Sequence, residues 1–180
     1  MAFAVISCSL NPKSRSRALA RMAVERITAH GEETVFIDLR EHPLPFCDGA
    51  GAGDHPSVSD LAETIANADA VLLGLPVYNY GVNAAAKNLL ELTGAAWEDR
   101  IVGFLCAAGG RSSYMAPMSF ANSLMLDYHC LILPRIVHAA ADQLDETGRI
   151  VDPEIENRIE ALVNSALRFG RAAKTIPSKP

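Results

Sequence analysis

Three short stretches of the chain carry residue types suited to a charged, planar ligand. The first is Ser7-Cys8-Ser9-Leu10-Asn11-Pro12-Lys13-Ser14-Arg15-Ser16-Arg17, which places four hydroxyls and three cations just ahead of a helical pattern. Hydroxyls and backbone N–H groups at a helix N-terminus form an anion site, and the helix dipole favours negative charge there. The stretch has no glycine and no Walker spacing, so it suits a terminal phosphate monoester reached by side chains better than a pyrophosphate pressed against backbone. The second runs from Pro76-Val77-Tyr78-Asn79-Tyr80-Gly81 to Asn83-Ala84-Ala85-Ala86-Lys87-Asn88. A Pro-x-Tyr-Asn turn can offer N–H groups and ring surface to a flat heterocycle, and the alanines let a helix come close. The third is Ala107-Ala108-Gly109-Gly110-Arg111-Ser112-Ser113, whose paired glycines allow backbone to approach a ligand. Each stretch alone also reads as an ordinary loop; the chemical reading requires all three to meet.

The elements needed to bring them together are visible in the apolar pattern. Runs at 3–6, 34–37, 70–75, 101–108 and 130–137 are nearly continuous, as strands covered on both faces are. Helical patterns lie between them, over 16–29, 58–68, 84–92 with Asn83 as cap, and 114–128, and a last one starts at Asp152-Pro153. Strands alternating with helices imply βαβ units. The expected fold is α/β, a flavodoxin-like three-layer sandwich around a five-stranded parallel sheet of order 2-1-3-4-5. Pro134, inside the fifth run, fits an edge strand, which strand 5 is in that order. The three stretches then follow strands 1, 3 and 4 at one end of the sheet, around the switch point where such folds bind ligands. One domain is expected over 1–172, with 173–180 a frayed tail. The run Gly49-Ala50-Gly51-Ala52-Gly53 follows a Pro-rich stretch rather than a strand and reads as a surface loop. The 114–128 helix is apolar on more than one face (Met115, Met118, Phe120, Leu124, Met125, Leu126), which points to a subunit contact.

Composition sets the outer bounds. The 180 residues carry 16 Lys+Arg against 21 Asp+Glu, a net charge of −5, which argues against a nucleic-acid partner. No apolar run approaches a membrane span, and the apolar start reads as a first strand, not a leader. Cysteines 8, 47, 106 and 130 lack metal-ligand spacing and read as free thiols of a cytoplasmic protein. No metal site is expected. Of the scattered histidines, His129 reads as a packed core residue.

The loops taken together resemble the NAD(P)H-dependent FMN reductase family, a flavodoxin-like group, over about residues 3–170. The first loop is similar to that family's Gly-Ser-x-Arg-x-x-Ser-x-Asn/Ser pattern. Ser9, Ser14 and Ser16 fall on its phosphate-binding positions, Asn11 replaces the usual arginine, Cys8 replaces the leading glycine, and Lys13 or Arg15 would supply the charge. The second is similar to Pro-x-Tyr-Asn-x-Ser-x-Pro-Gly-x-Leu-Lys-Asn. Pro76, Tyr78, Asn79, Lys87 and Asn88 match it, while Gly81, Asn83, Ala84 and Ala86 depart from it. Gly109-Gly110 resembles the third flavin-contacting loop, and the region after strand 5 has some likeness to the sulfonate-utilisation flavin reductases. The resemblance implies an FMN site built from Ser9, Asn11, Lys13, Ser14, Ser16, Pro76, Val77, Tyr78, Asn79, Gly109 and Gly110. It implies NADPH or NADH as donor, and a flavin, quinone or similar small molecule as acceptor. It also implies a homodimer or homotetramer. The flavin carries the chemistry in such enzymes, so no catalytic side chain is expected. Two other readings are a flavodoxin-type electron carrier, for which −5 is a weak steering field, and a hydrolase using Ser112 or Ser113.

Overall fold

Side chains alternate across the first strand: Phe3 and Val5 enter one apolar cluster, Ala4 and Ile6 another. A strand with both faces buried belongs inside a three-layer structure, and the computed structural model, which describes residues 1–145 and 148–175, has that architecture. The strands are β1 (Ala2–Ser7), β2 (Glu33–Asp38), β3 (Ala70–Tyr78), β4 (Gly81–Val82), β5 (Ile101–Ala107), β6 (Leu131–Ile132) and β7 (Val137–Ala139). The helices are α1 (Arg15–Ala29), α2 (Pro56–Asn67), α3 (Ala84–Thr93), α4 (Met118–Tyr128) and α5 (Pro153–Lys174). Buried residues of α1 and α5, such as Leu19, Ile27, Ile159 and Leu162, share a cluster with Phe3 and Leu72. Those of α2, α3 and α4, such as Leu61, Ile65, Leu89, Phe120 and Leu124, pack on the opposite face with Ile6, Leu73 and Phe104.

The sheet order is β2-β1-β3-β5-β6, parallel throughout this path. This is the expected flavodoxin-like order, with one correction in the strand count. Among the described residues the sheet has seven strands rather than five. The run at 130–137 splits into β6, which pairs with Ile101 and Val102, and β7, which pairs with Leu105 to Ala107. Exposed Pro134 stands in the gap, because proline has no N–H to give the ladder. The other addition is β4, which folds back antiparallel on the end of β3.

Helix starts follow their caps. Ser14 caps α1 by accepting the Arg17 N–H, and Asp152 caps α5 by accepting that of Glu154, with Pro153 in the first turn. The fourth helix begins at Met118, not 114. Pro117 sits at its cap and disfavours helical backbone at the residue before it. Asn83 precedes α3 but makes no capping bond; its Nδ2 donates to the Cys8 carbonyl at 2.7 Å instead. His129 is not packed: it is exposed and ends α4 in left-handed backbone, φ 54°. Gly51–Asp54 is a short, exposed 3-10 turn. Residues 173 and 174 of the expected tail belong to α5, and 176–180 lie outside the described residues.

One glycine governs how close α1 comes to the sheet. A Cβ at Gly74 of β3 would stand 2.9 Å from the Ser16 carbonyl oxygen and 3.0 Å from the Ala20 Cβ. The absence of that atom lets the first turn of α1 lie directly on β3.

Candidate functional site

Beyond the carboxyl ends of β1, β3 and β5 lies a cleft of about 860 Å³. Ser9, Asn11, Lys13, Ser14 and Ser16 line one part of it. Pro76, Val77, Tyr78 and Asn79 line another, with Ala107, Ala108 and Gly109 beside them. Ten of the eleven residues singled out from the sequence therefore share one cavity wall; Gly110 is not among its lining residues. Arg15, Ala107, Ala108 and Gly148 also line it. The last comes from the segment after β7, and nothing near it in sequence marks it for this role.

The loop after β1 is tightly organised. The Cys8 N–H donates to the Gly74 carbonyl at 2.9 Å. The Ser9 hydroxyl accepts the Asn11 N–H, and the Asn11 side chain accepts that of Lys13 at 2.9 Å. Asn11, in the place of the family's arginine, thus braces the loop. The Ser14 and Ser16 hydroxyls lie 3.0 Å apart, and the first-turn N–H groups of Arg15 and Ser16 have no acceptor within their own helix. Lys13 and Arg15 are exposed at this end. Arg17 is not: it is buried and turned inward, with its Nε 2.7 Å from Asp38 Oδ2. The three cations that look alike in sequence are therefore two at the cleft and one beneath it. Burial by itself would raise the Asp38 carboxyl, but hydrogen bonds from Arg40 and Arg17 outweigh that and hold it down at about 2.

At the β3 end, Val77 pairs with Val82 and Tyr78 with Gly81, closing a two-residue hairpin over Asn79 and Tyr80. Both central residues have positive φ, 49° and 60°, as a type I′ turn demands. Left-handed backbone at tyrosine costs energy, and such cost concentrates at functional sites. The Tyr80 hydroxyl donates to Ser112 Oγ at 3.0 Å, tying this hairpin to the loop after β5. At Gly109 an added Cβ would meet no atom within 4 Å, so bare backbone faces open space. Lys87 and Asn88, which complete the second motif, do other work. Lys87 pairs with Glu91, and Asn88 bonds Pro45 and Cys47 to hold the loop after β2.

The donor set fits a flavin mononucleotide: hydroxyls, two cations and a helix N-terminus at one end, with a flat, partly apolar strand end and bare glycine backbone at the other. The serines of the third loop are placed differently. Ser112 takes the Tyr80 hydroxyl, and Ser113 Oγ lies 3.5 Å from His138 Nε2, the outer limit of a hydrogen bond. Burial, then the charge of Arg158, lowers the His138 pKa. His138 borders a separate cavity of about 450 Å³ that Arg111, Glu154 and Arg158 also line. Burial pushes the thiols of Cys106 and Cys130 up to about 12 and about 11 and raises that of Cys8 further. No disulfide joins them, and Cys47 is exposed. Among the described residues no cluster of metal-ligating side chains occurs, and no helix is long and apolar enough to cross a membrane.

Comparison with known proteins bears on the same region. A family model described as NADPH-dependent FMN reductase matches residues 1–144. An NAD(P)H-dependent FAD/FMN reductase of Geobacillus thermodenitrificans is 25% identical over 129 residues, covering 71% of this chain and 70% of the relative. An NADPH:quinone oxidoreductase of Arabidopsis thaliana is 27% identical over 179 residues, covering 92% and 90%. Among solved structures, the flavoenzyme NAD(P)H:(acceptor) oxidoreductase FerB of Paracoccus denitrificans superposes with a TM-score of 0.76 at 19% identity, over 95% of this chain and 97% of that one.

Proposed function

The chain belongs to the NADPH-dependent FMN reductase family, and from that premise we propose that its cleft seats FMN with the phosphate on the loop after β1 and the ring against Pro76–Asn79 and Gly109. The protein is an NAD(P)H-dependent oxidoreductase that uses FMN. The observation that carries the residue assignment is the convergence of an anion-suited loop and a strained ring-side turn on one cleft at the switch point of the sheet.

FMN, when bound, supplies the two-electron chemistry between a reduced nicotinamide and a flavin, quinone or similar acceptor. The chain's own residues bind and orient. Ser9, Ser14 and Ser16 offer hydroxyls to the phosphate, and Lys13 and Arg15 neutralise it. The hairpin at Asn79-Tyr80 holds the end of β3 as a wall. The bare backbone at Gly109 leaves room for the ring edge, with Gly110 next to it. No side chain is assigned to move a proton.

The test is direct. The purified protein is examined for flavin absorbance, and NADH and NADPH oxidation is followed with FMN added, then with a quinone. Flavin binding with NAD(P)H oxidation is expected; neither binding nor oxidation would sink the reading. Tight FMN without oxidation would instead make the protein an electron carrier.

The assembly reading rests on α4. Its buried side consists of Phe120, Ala121 and Leu124, while Met125 and Leu126 remain exposed, as does Leu131 just beyond it. This surplus of apolar surface suits contact with a second copy. Light scattering at micromolar concentration should give a multiple of 19.3 kDa, and a monomer mass would reject the contact. Free, largely buried thiols accord with a cytoplasmic setting.

A further inference from the structure

Arg17 occupies a place where a cation is costly on two counts. It lies in the first turn of α1, whose dipole favours negative charge. It is also only 7% exposed, so its guanidinium has given up most of its hydration. Buried ion pairs of this kind contribute little net stability compared with apolar residues of the same volume. Stability alone therefore gives a weak reason for an arginine here.

Its hydrogen bonds supply a better one. Nε and Nη2 hold Asp38, at 2.7 and 3.4 Å. The remaining reach goes to backbone of the loop: Nη1 to the Pro12 carbonyl, and Nη2 to the carbonyls of Ser9 and Asn11, each at 3.2 Å. Carbonyl oxygens are the backbone groups that a phosphate must not meet. Arg17 draws three of them to the protein side of the loop. The cleft side is left to the Ser9, Ser14 and Ser16 hydroxyls and to Lys13 and Arg15. Asp38, at the end of β2 and itself 2% exposed, fixes the guanidinium in the orientation that makes this possible.

We infer that Arg17, oriented by Asp38, is a positioning residue for phosphate recognition: it turns the loop carbonyls inward and so gives the cleft its preference for a phosphorylated flavin without touching the ligand. This rests on the assignment of the FMN phosphate to the loop after β1. The planar fork is what matters, not the charge, because an ammonium cannot span Asp38 and three carbonyls at once.

The experiment compares FMN with riboflavin, which has the same ring and no phosphate, by quenching of flavin fluorescence. Arg17→Lys and Arg17→Met should each raise the Kd for FMN by about tenfold or more, the scale of one to two hydrogen bonds to a charged group. The Kd for riboflavin should stay within about twofold, and turnover at saturating FMN should persist. Asp38→Asn, which keeps the volume and one acceptor, should lose part of the FMN preference and serves as the comparison if Arg17→Met does not fold. Arg17→Lys with wild-type FMN affinity would overturn the proposal, since charge alone would then suffice. Equal weakening of both ligands would also overturn it, because it would mark a general structural role. A wild-type protein that binds FMN and riboflavin equally would defeat the phosphate assignment itself. A wild type that prefers FMN, with variants that keep the preference, would defeat only the role of Arg17.

Discussion

Single residues decide what the cleft can admit. At Gly109 the backbone does not need glycine for its own conformation, since its φ is not among the positive ones, and a Cβ would meet nothing. A side chain there would stand in free space beside the ring-side wall. Gly109→Val should therefore leave the melting temperature within about 2 °C, as expected for a change of a few tenths of a kcal/mol, while weakening FMN binding about tenfold or more. Thermal melts and flavin titration of the same preparation check both halves. The glycine pair is legible in the sequence because paired glycines after an apolar run are conspicuous. The inward turn of Arg17 is not. Lys13, Arg15 and Arg17 are chemically alike, and the partner that separates them, Asp38, lies 21 residues away. Gly148 is equally hidden, as it reaches the cleft through tertiary structure alone.

Elements set the register of those residues. The apolar runs disclose the parallel sheet and its order because strands buried on both faces carry unbroken hydrophobic sequence. They do not disclose β4, two residues long, since its turn uses Asn-Tyr where the usual signal is Asn-Gly. Nor do they show that Pro134 divides the edge strand rather than ending it. The contact of α1 with β3 at Gly74 yields a prediction at this scale. Gly74→Ala places a methyl against the Ser16 carbonyl and the Ala20 Cβ, both on the helix that carries the phosphate loop. Overpacking of this kind costs about 1–3 kcal/mol, and relief by shifting α1 would displace Ser14 and Ser16. Urea denaturation should show the lost stability, and FMN affinity should fall with it. Unchanged affinity in a destabilised variant would mean that the loop is held independently of the helix.

At the scale of the molecule, the buried pair beneath the loop links folding to acidity. The Asp38 carboxyl is held at about 2 against an ordinary 3.8. A carboxylate depressed on folding contributes its stability in full above the unfolded value and loses it as the pH falls through the folded one. Urea midpoints measured from pH 7 downward should therefore fall mainly between about pH 4 and pH 2. Glu32, held at about 2 by hydrogen bonds from the N-terminal ammonium and Arg171, titrates in the same window, so Asp38→Asn should flatten the drop only in part. The same pair has a consequence for how reactants arrive. With Arg17 buried against Asp38, a carboxylate that Arg40 shares, the loop itself shows solvent two cations, Lys13 and Arg15, and one phosphate dianion matches them. The apoprotein should draw FMN in by long-range attraction that added salt weakens. Once loaded, the mouth is close to neutral, and a nicotinamide nucleotide meets little field from this loop in either direction. Stopped-flow association of FMN should slow markedly as ionic strength rises, while flavin reduction by NADPH in the loaded protein should hardly respond. The first reactant is captured by charge, and the second must be chosen by shape.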